Sequence, residues 1–352
     1  MKNIRLSSKF LIYLICIGAL TSIAIGYISF QKSKSALLTR TYHQLSSIRE
    51  LKKNQVQHFF TERHSDIEVL ESNPFTKAAF KDIKQAFYRA QNNGSSLLQI
   101  TETTVYKNVL SKYNHAFSTY MTKYGYYDIF LIDPLKGDIL YTVALENDFG
   151  TRLSAEKTHL ATLWQKCVNS NTTVISDMKK YAPSNDAPAM FIATPIIENN
   201  ATIGVLAYQI SNDAINQIMQ EKTGLGESGE TYLVGADLLL RSDSRFSNEP
   251  TVLQLKVETQ ATQDALSGIK KEQIIKDYRG INVLSCYDKV EIGDKRWAII
   301  SEIDEAEILV PVRQLALTIF IASLIIIAVI AMAALAIAKS LSNPIEKSLK
   351  VA

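Results

Sequence analysis

Residues 126–142 read YYDIFLIDPLKGDILYT, two short apolar runs separated by Asp133-Pro134-Leu135-Lys136-Gly137-Asp138. Proline holds φ near one value and glycine tolerates positive φ, so the stretch predicts a β-hairpin. A related block, ETYLVGADLLLRSDS, occupies 230–244. Working outward from both, the same order of elements follows each. After the first come a helix near 155–169, a strand at 173–177, and strands at 189–197 and 202–210 around the turn Glu198-Asn199-Asn200-Ala201. After the second come a helix near 260–266 and strands at 273–277, 282–290 and 296–303. Strands 231–234 and 238–241 form the second hairpin around Gly235-Ala236-Asp237. The exported part thus predicts two copies of one antiparallel sheet with helices against it, an α+β fold class.

Apolar stretches bracket the two copies. Residues 10–30 carry no charge and are long enough to cross a ~30 Å hydrocarbon core at 1.5 Å per residue. A cleaved signal peptide would have a shorter apolar core of roughly 7–15 residues and a small-residue cleavage site. Gln31-Lys32-Ser33-Lys34 follows instead, which favours an uncleaved anchor. Residues 315–338 form a second uncharged span. Lys2, Arg5 and Lys9 precede the first, and Lys339, Lys347 and Lys350 follow the second, so both ends are expected in the cytoplasm. The expected topology is two-pass in a bacterial inner membrane, with the region between the spans outside.

From Gln31 onward Leu38, Tyr42, Leu45, Ile48, Val56, Phe59, Phe60, Ile67 and Leu70 recur at helical spacing, and no Pro or Gly interrupts them before Asn73-Pro74. The expectation is one long helix over 31–71, packed on its own domain or also on a partner helix across a dimer axis. Helices near 76–91 and 101–123 follow.

A net charge of +3 without an arginine-rich, aromatic-interleaved patch argues against nucleic acid. Cys16, Cys167 and Cys286 form no CxxC pair, which leaves neither a zinc site nor a disulfide framework supported. The five histidines share no metal-ligand spacing, and no Ser/His/Asp arrangement follows from the spacing. The chain is expected not to be an enzyme and to need neither cofactor nor metal. Gly224-Leu225-Gly226-Glu227-Ser228-Gly229 has GxGxxG spacing but lacks the strand before it and the helix after it, so a connector is expected there.

The pieces YYDIFLIDPLKGDILYTVALENDFGTRL, DMKKYAPSNDAPAMFIATPI, GLGESGETYLVGADLLLRSDSRF and DYRGINVLSCYDKVEIGDKRWAIISEIDEAE resemble the extracytoplasmic double Cache (PAS-like) sensors of bacterial methyl-accepting chemotaxis receptors, sensor histidine kinases and diguanylate cyclases. KSLSNPIEKSL resembles, more briefly, the start of a HAMP linker. The resemblance implies a membrane-distal module, 72–211, that binds a small ligand, and a membrane-proximal module, 212–304, that relays. It also implies a juxtamembrane helix at 305–314, a HAMP-like start at 339–352, a homodimer and a cytoplasmic signalling partner. Such receptors continue well past HAMP, whereas this sequence stops at Ala352. It is expected to be either a fragment or a protein that signals through a separate partner.

Tyr124, Tyr126, Tyr127, Asp128, Tyr141, Asp177 and Tyr181 form the densest aromatic and acidic group of the distal module, and Ser184, Met190 and Thr194 complete the expected ligand-binding set. Tyrosine offers a flat face with a hydroxyl, and a carboxylate holds a cationic head group through a charge-assisted hydrogen bond. The same tyrosines are also good strand-core residues. Asp177 either binds an amine or makes an Asx turn, and the recurrence of an aspartate at Asp277 favours the structural role. The amino-acid-binding members of the family carry an Arg-x-Trp pair after the first hairpin. Here Arg152 has no such tryptophan, which puts free amino acids in doubt. The alternative function is a membrane-anchored interaction module without a small ligand.

Overall fold

The computed structural model describes the backbone of residues 6–349, with side chains for 12–96 and 99–336. Residues 1–5 and 350–352, which include parts of both expected cytoplasmic ends, lie outside the described residues. A single helix, α1 (Leu6–Ser72), runs 67 residues, about 100 Å at 1.5 Å per residue. Its outer half buries one stripe: Leu45, Arg49, Lys52, Val56, Phe60 and Ile67. Spacings of three, four and seven keep these side chains on one face. Leu38, Tyr42, Ile48 and Phe59 flank the stripe, partly buried. Asn73 ends the helix by capping the next one, accepting from the Phe75 N–H with Pro74 in the first turn.

The first module follows: α2 (Pro74–Asn92), α3 (Leu97–Ile100), α4 (Thr104–Tyr124), β1 (Tyr126–Ile132), β2 (Ile139–Thr142), α5 (His159–Ser170), β3 (Val174–Ile175), β4 (Lys179–Tyr181), β5 (Ala187–Glu198) and β6 (Ala201–Ile210). Gly125, at φ 72°, closes α4 and turns the chain into β1. The sheet order is β2-β1-β6-β5-β3, with β4 also paired to β5, all antiparallel. After α6 (Asp213–Gln220) the second module repeats this plan: β7 (Glu230–Val234), α7 (Gln260–Leu266), β8 (Lys271–Lys276), β9 (Asn282–Ile292) and β10 (Lys295–Asp304), in the order β7-β10-β9-β8. From β10 the chain passes through α8 (Glu305–Ile308) into α9 (Val310–Leu349). The backbone of α9 stays helical through Pro344, within the stretch expected to begin a HAMP linker.

The expected strand at 238–241 is corrected. Only isolated bridges, Val234–Leu240 and Leu239–Lys256, stand where β2 stands in the first module. Leu238 takes φ 65°, and the Arg241 guanidinium lies against Gly235 where a β-carbon would collide, so the turn is too tight for a ladder.

Among the described residues two helices are long and apolar enough to cross a membrane, the first half of α1 and the stretch within Glu305–Ala336. They pack on each other, and Gly18 and Gly26 permit the approach: a β-carbon would come within 2.8 Å of Ile330 and 3.0 Å of Ile319.

The α1 stripe joins the modules. Val56, Phe60 and Ile67 share one apolar cluster with Ile192 and Tyr208 of the first sheet and with Leu233, Val290 and Trp297 of the second. Lys52 reaches the last turn of α6, donating to the carbonyls of Ile218, Met219 and Glu221 at 2.9, 2.7 and 2.6 Å. These are helix-end acceptors with no intrahelical donor. Lys52→Ala is expected to cost about 2 kcal/mol in a denaturant titration. An unchanged midpoint would show that water replaces the ammonium.

Candidate functional site

Alternation along the first sheet decides which residues can meet. Ile129, Leu131, Met190, Ile192, Leu206 and Tyr208 project toward α1, α2 and α4. Phe130, Ile132, Phe191, Ala193, Val205 and Ala207 project toward α5 with Leu160, Trp164 and Cys167. At the end of this second face, where apolar side chains run out, a polar cluster is buried.

Asp128 is fully buried, and its Oδ1 accepts from the backbone N–H groups of Ile129, Val143 and Ala144 at 2.7, 2.8 and 3.0 Å. Thr142 donates its hydroxyl to the other oxygen. This carboxylate therefore holds the loop after β2, which carries Glu146 and Asp148. Tyr127 and Ser184 each donate to Glu146 at 2.6 Å, and the Gln209 amide donates to Ser184 at 3.1 Å. Tyr181 donates to Asp148 Oδ2 at 2.8 Å.

Three buried atoms of this cluster lack partners: Asp148 Oδ1, Gln209 Oε1 and His159 Nε2. Asp148 and Gln209 are each only 2% exposed. Burial pushes Asp148 up to about 6, against the Tyr181 hydrogen bond and with help from the charges of Asp128 and Glu146. Burial likewise brings Asp128 to about 6, against the pull of its hydrogen bonds. His159 is pushed down to about 4 by burial, so it is neutral at neutral pH. No Lys or Arg pairs with Asp128, Glu146 or Asp148 among the described residues. The nearest arginine in sequence, Arg152, is half exposed and spends its guanidinium on Asp138 at 2.6 Å.

Tyr127 and Gln209 also line a cavity of about 250 Å³ bounded by Pro188, Asn212, Asn216 and Asp243. A larger concavity, about 940 Å³, opens between α2 and the β1–β2 turn. It is a surface groove whose lysines are already paired, Lys81 with Glu198 and Lys84 with Asp133, and no acidic or aromatic candidate lies in it.

Of the ten residues singled out by sequence, Tyr127, Asp128, Tyr181 and Ser184 meet here. The other six are placed elsewhere. Tyr126 and Tyr141 face the helices, donating to Asp66 of α1 and Asn114 of α4, and Met190 packs on that face. Tyr124 stacks on Tyr120 at the end of α4. Thr194 bonds Thr173 at the sheet edge. Asp177 faces the second module, bound by Arg241 and by the Trp297 indole N–H. Asp277 instead makes the Asx turn, accepting from Arg279 and Ile281. Glu146, Asp148, His159 and Gln209 were not singled out. The acidic run Glu146-Asn147-Asp148 just after the hairpin is the signal that marks two of them.

Two sheet modules of one topology are thus strung on a single helix that continues into an apolar segment, with a buried polar cluster in the first. The chain belongs to the Cache domain family, whose model matches residues 33–312. Among solved structures it is similar to the periplasmic sensory domain of the Campylobacter jejuni chemoreceptor Tlp1, with 16% identity and a TM-score of 0.51 over 78% of this chain and 99% of that one. It is also similar to the ligand-binding domain of the Pseudomonas aeruginosa PAO1 amino acid chemoreceptor PctC in complex with GABA, with 11% identity and a TM-score of 0.46 over 75% and 100%. Comparison with curated proteins returns no match.

Proposed function

We propose that this chain is a two-pass membrane receptor whose first, membrane-distal module binds a small ligand bearing a cationic head group. One observation carries the ligand class: three clustered carboxylates have no cation, and beside them the buried acceptors Asp148 Oδ1 and Gln209 Oε1 have no donor. An ammonium would supply several donors and a charge at once. Family membership supports a sensor, and the two apolar helices with basic residues outside them support a receptor anchored at both ends of its exported region. Because α1 touches both sheets and also packs on α9, a shift at the first module can reach the second span. Ligand shifts that equilibrium only by its differential affinity for the two states. A homodimer through the outer face of α1 and a cytoplasmic signalling partner complete the proposal.

The test is calorimetric and thermal-shift screening of the full chain in lipid nanodiscs, with matched panels of amines and of carboxylates lacking an amine. Hits confined to the amines are expected. An amine panel without hits, against a positive carboxylate, would overturn the ligand class. No hit in either panel would favour the interaction module.

For any amine that binds, affinity is expected to rise below about 6 by up to about a hundredfold per pH unit, about tenfold for each carboxyl that must ionise, and to level above it. The carboxyls of Asp128 and Asp148 must lose protons to receive a cation, and they titrate near 6 in the free protein. A pH-independent Kd between 5 and 7 would show that these groups do not face the ligand.

A further inference from the structure

The second module carries the counterpart of the first module's polar pair, with a glutamate at both positions. Asp128 and Gln209 are direct cross-strand partners between β1 and β6. Glu230 and Glu302 are direct cross-strand partners between β7 and β10. Directly opposed side chains project on the same face with β-carbons about 5 Å apart, and like charges there repel. Both glutamates are buried, at 4% and 3% exposure.

Glu230 is well supplied with donors, from the Arg245 N–H at 2.8 Å and the Tyr278 hydroxyl at 2.7 Å. Glu302 accepts from the Tyr232 hydroxyl at 2.8 Å, and the Ser285 hydroxyl, opposite it on β9, is the one other donor that faces its carboxylate, so both of its donors are neutral hydroxyls. The groups around Glu302 are acidic or neutral. Glu230 and Tyr232 approach from β7, Asp277 and Tyr278 from the turn after β8, and Cys286 from β9. The cations near it are engaged: Arg279 pairs with Asp277 and Asp304, each at 2.6 Å, and Arg245 donates to the Gly229 carbonyl.

We infer that Glu230 and Glu302 together bind one proton, making the second module a pH-responsive site separate from the ligand site of the first. Two buried carboxylates in register cannot both ionise without a cation, and none is placed to neutralise them. Glu302 is the member that takes the proton; Glu230 already accepts from the Arg245 backbone N–H and the Tyr278 hydroxyl. Burial, together with the charges of Asp277 and Glu230, raises Glu302 from 4.5 to about 7.

The folded carboxyl therefore holds its proton where the unfolded one has lost it. Stability from this group is full below about 4.5, falls as pH rises toward 7, and is flat above. Glu302 lies two residues before Asp304, where β10 hands over to α8 and α9, so ionisation adds repulsion at the junction with the second span.

The test compares the full chain in nanodiscs with Glu302→Gln, the amide that the first module already carries at this position. Glu302→Gln is expected to raise Tm at pH 8 by roughly 5 °C and to leave it unchanged at pH 4.5. The effect should add to that of Asp148→Asn, since the two sites lie in different modules. In parallel, infrared difference spectra of the wild type are expected to show a buried protonated carboxyl at pH 6 that disappears by pH 8. Asp128 and Asp148 supply part of that band, and the remainder is expected to be missing from Glu302→Gln. Parallel Tm–pH curves for wild type and variant would overturn the inference, as would a wild type without the carboxyl band, even if the variant fails to fold.

Discussion

Arg241→Ala is expected to destabilise the protein by about 3 kcal/mol and to loosen one module from the other. The guanidinium is 1% exposed and bridges Asp177 at 3.2 Å and Asp237 at 2.9 Å, and it donates to the Leu239 carbonyl at 3.0 Å. It also lies 5.9 Å from the Trp297 ring centre, and the Trp297 indole donates to the same Asp177 at 3.0 Å. Removing one partner of a buried pair costs roughly 3–5 kcal/mol because the other charge is stranded. The low end applies because Asp177 is 23% and Asp237 45% exposed, so water recovers part of the loss. Lysine should not rescue, since a point charge cannot reproduce the fork that spans both aspartates. Denaturant unfolding measures the loss, and limited proteolysis of the 221–229 connector reports the loosening. A variant as stable and as protease-resistant as the wild type would show that the α1 stripe alone holds the modules together.

Asp148→Asn is expected to act in the opposite direction on stability while weakening ligand binding. At pH 7 the ionised Asp148 is held in a buried site that raises its carboxyl from 3.8 to about 6. Each unit corresponds to ~1.4 kcal/mol, so the neutral amide should be more stable by roughly 2–3 kcal/mol. The Tyr181 hydroxyl can still donate to the amide oxygen, so the local geometry is retained. Affinity for an amine should fall by about a hundredfold, the loss of a charge-assisted hydrogen bond with its Coulomb attraction. A gain in Tm with unaltered amine binding would move the ligand away from Asp148. A loss of both would mean that the carboxylate organises the loop after β2 rather than the ligand. Functional sites commonly carry such a stability penalty.

Much of the fold was legible because its signals are local. The helical spacing from Leu38 to Leu70 and the Asn73-Pro74 stop predicted the outer half of α1 and its end. The expected strands at 189–197, 202–210, 282–290 and 296–303 correspond to β5, β6, β9 and β10 to within two residues at each end. The strand at 238–241 was misread because its apolar run looks like β2, while the positive φ of Leu238 and the Arg241–Gly235 approach depend on a tertiary contact to Asp177.

The site was legible in half. Sequence density gathered Tyr127, Asp128, Tyr181 and Ser184, but it could not separate them from Tyr126, Tyr141 and Met190. Which face a strand residue takes depends on register, and the irregularity between Tyr126 and Asp128 in the β1–β6 pairing sits in that very segment.

By its local patterns, then, the sequence determined the two apolar helices, the continuous α1, and the repeat of one sheet plan. Periodicity and turn chemistry act over a few residues, so they survive without a partner. Only the tertiary structure decided that Asp177 ties the modules together and that Asp148 and Gln209 have acceptors to spare. It alone showed that Glu302 faces Glu230. Those properties belong to charges brought together across 60 to 120 positions of chain, where burial strips away the water that would otherwise make each of them unremarkable.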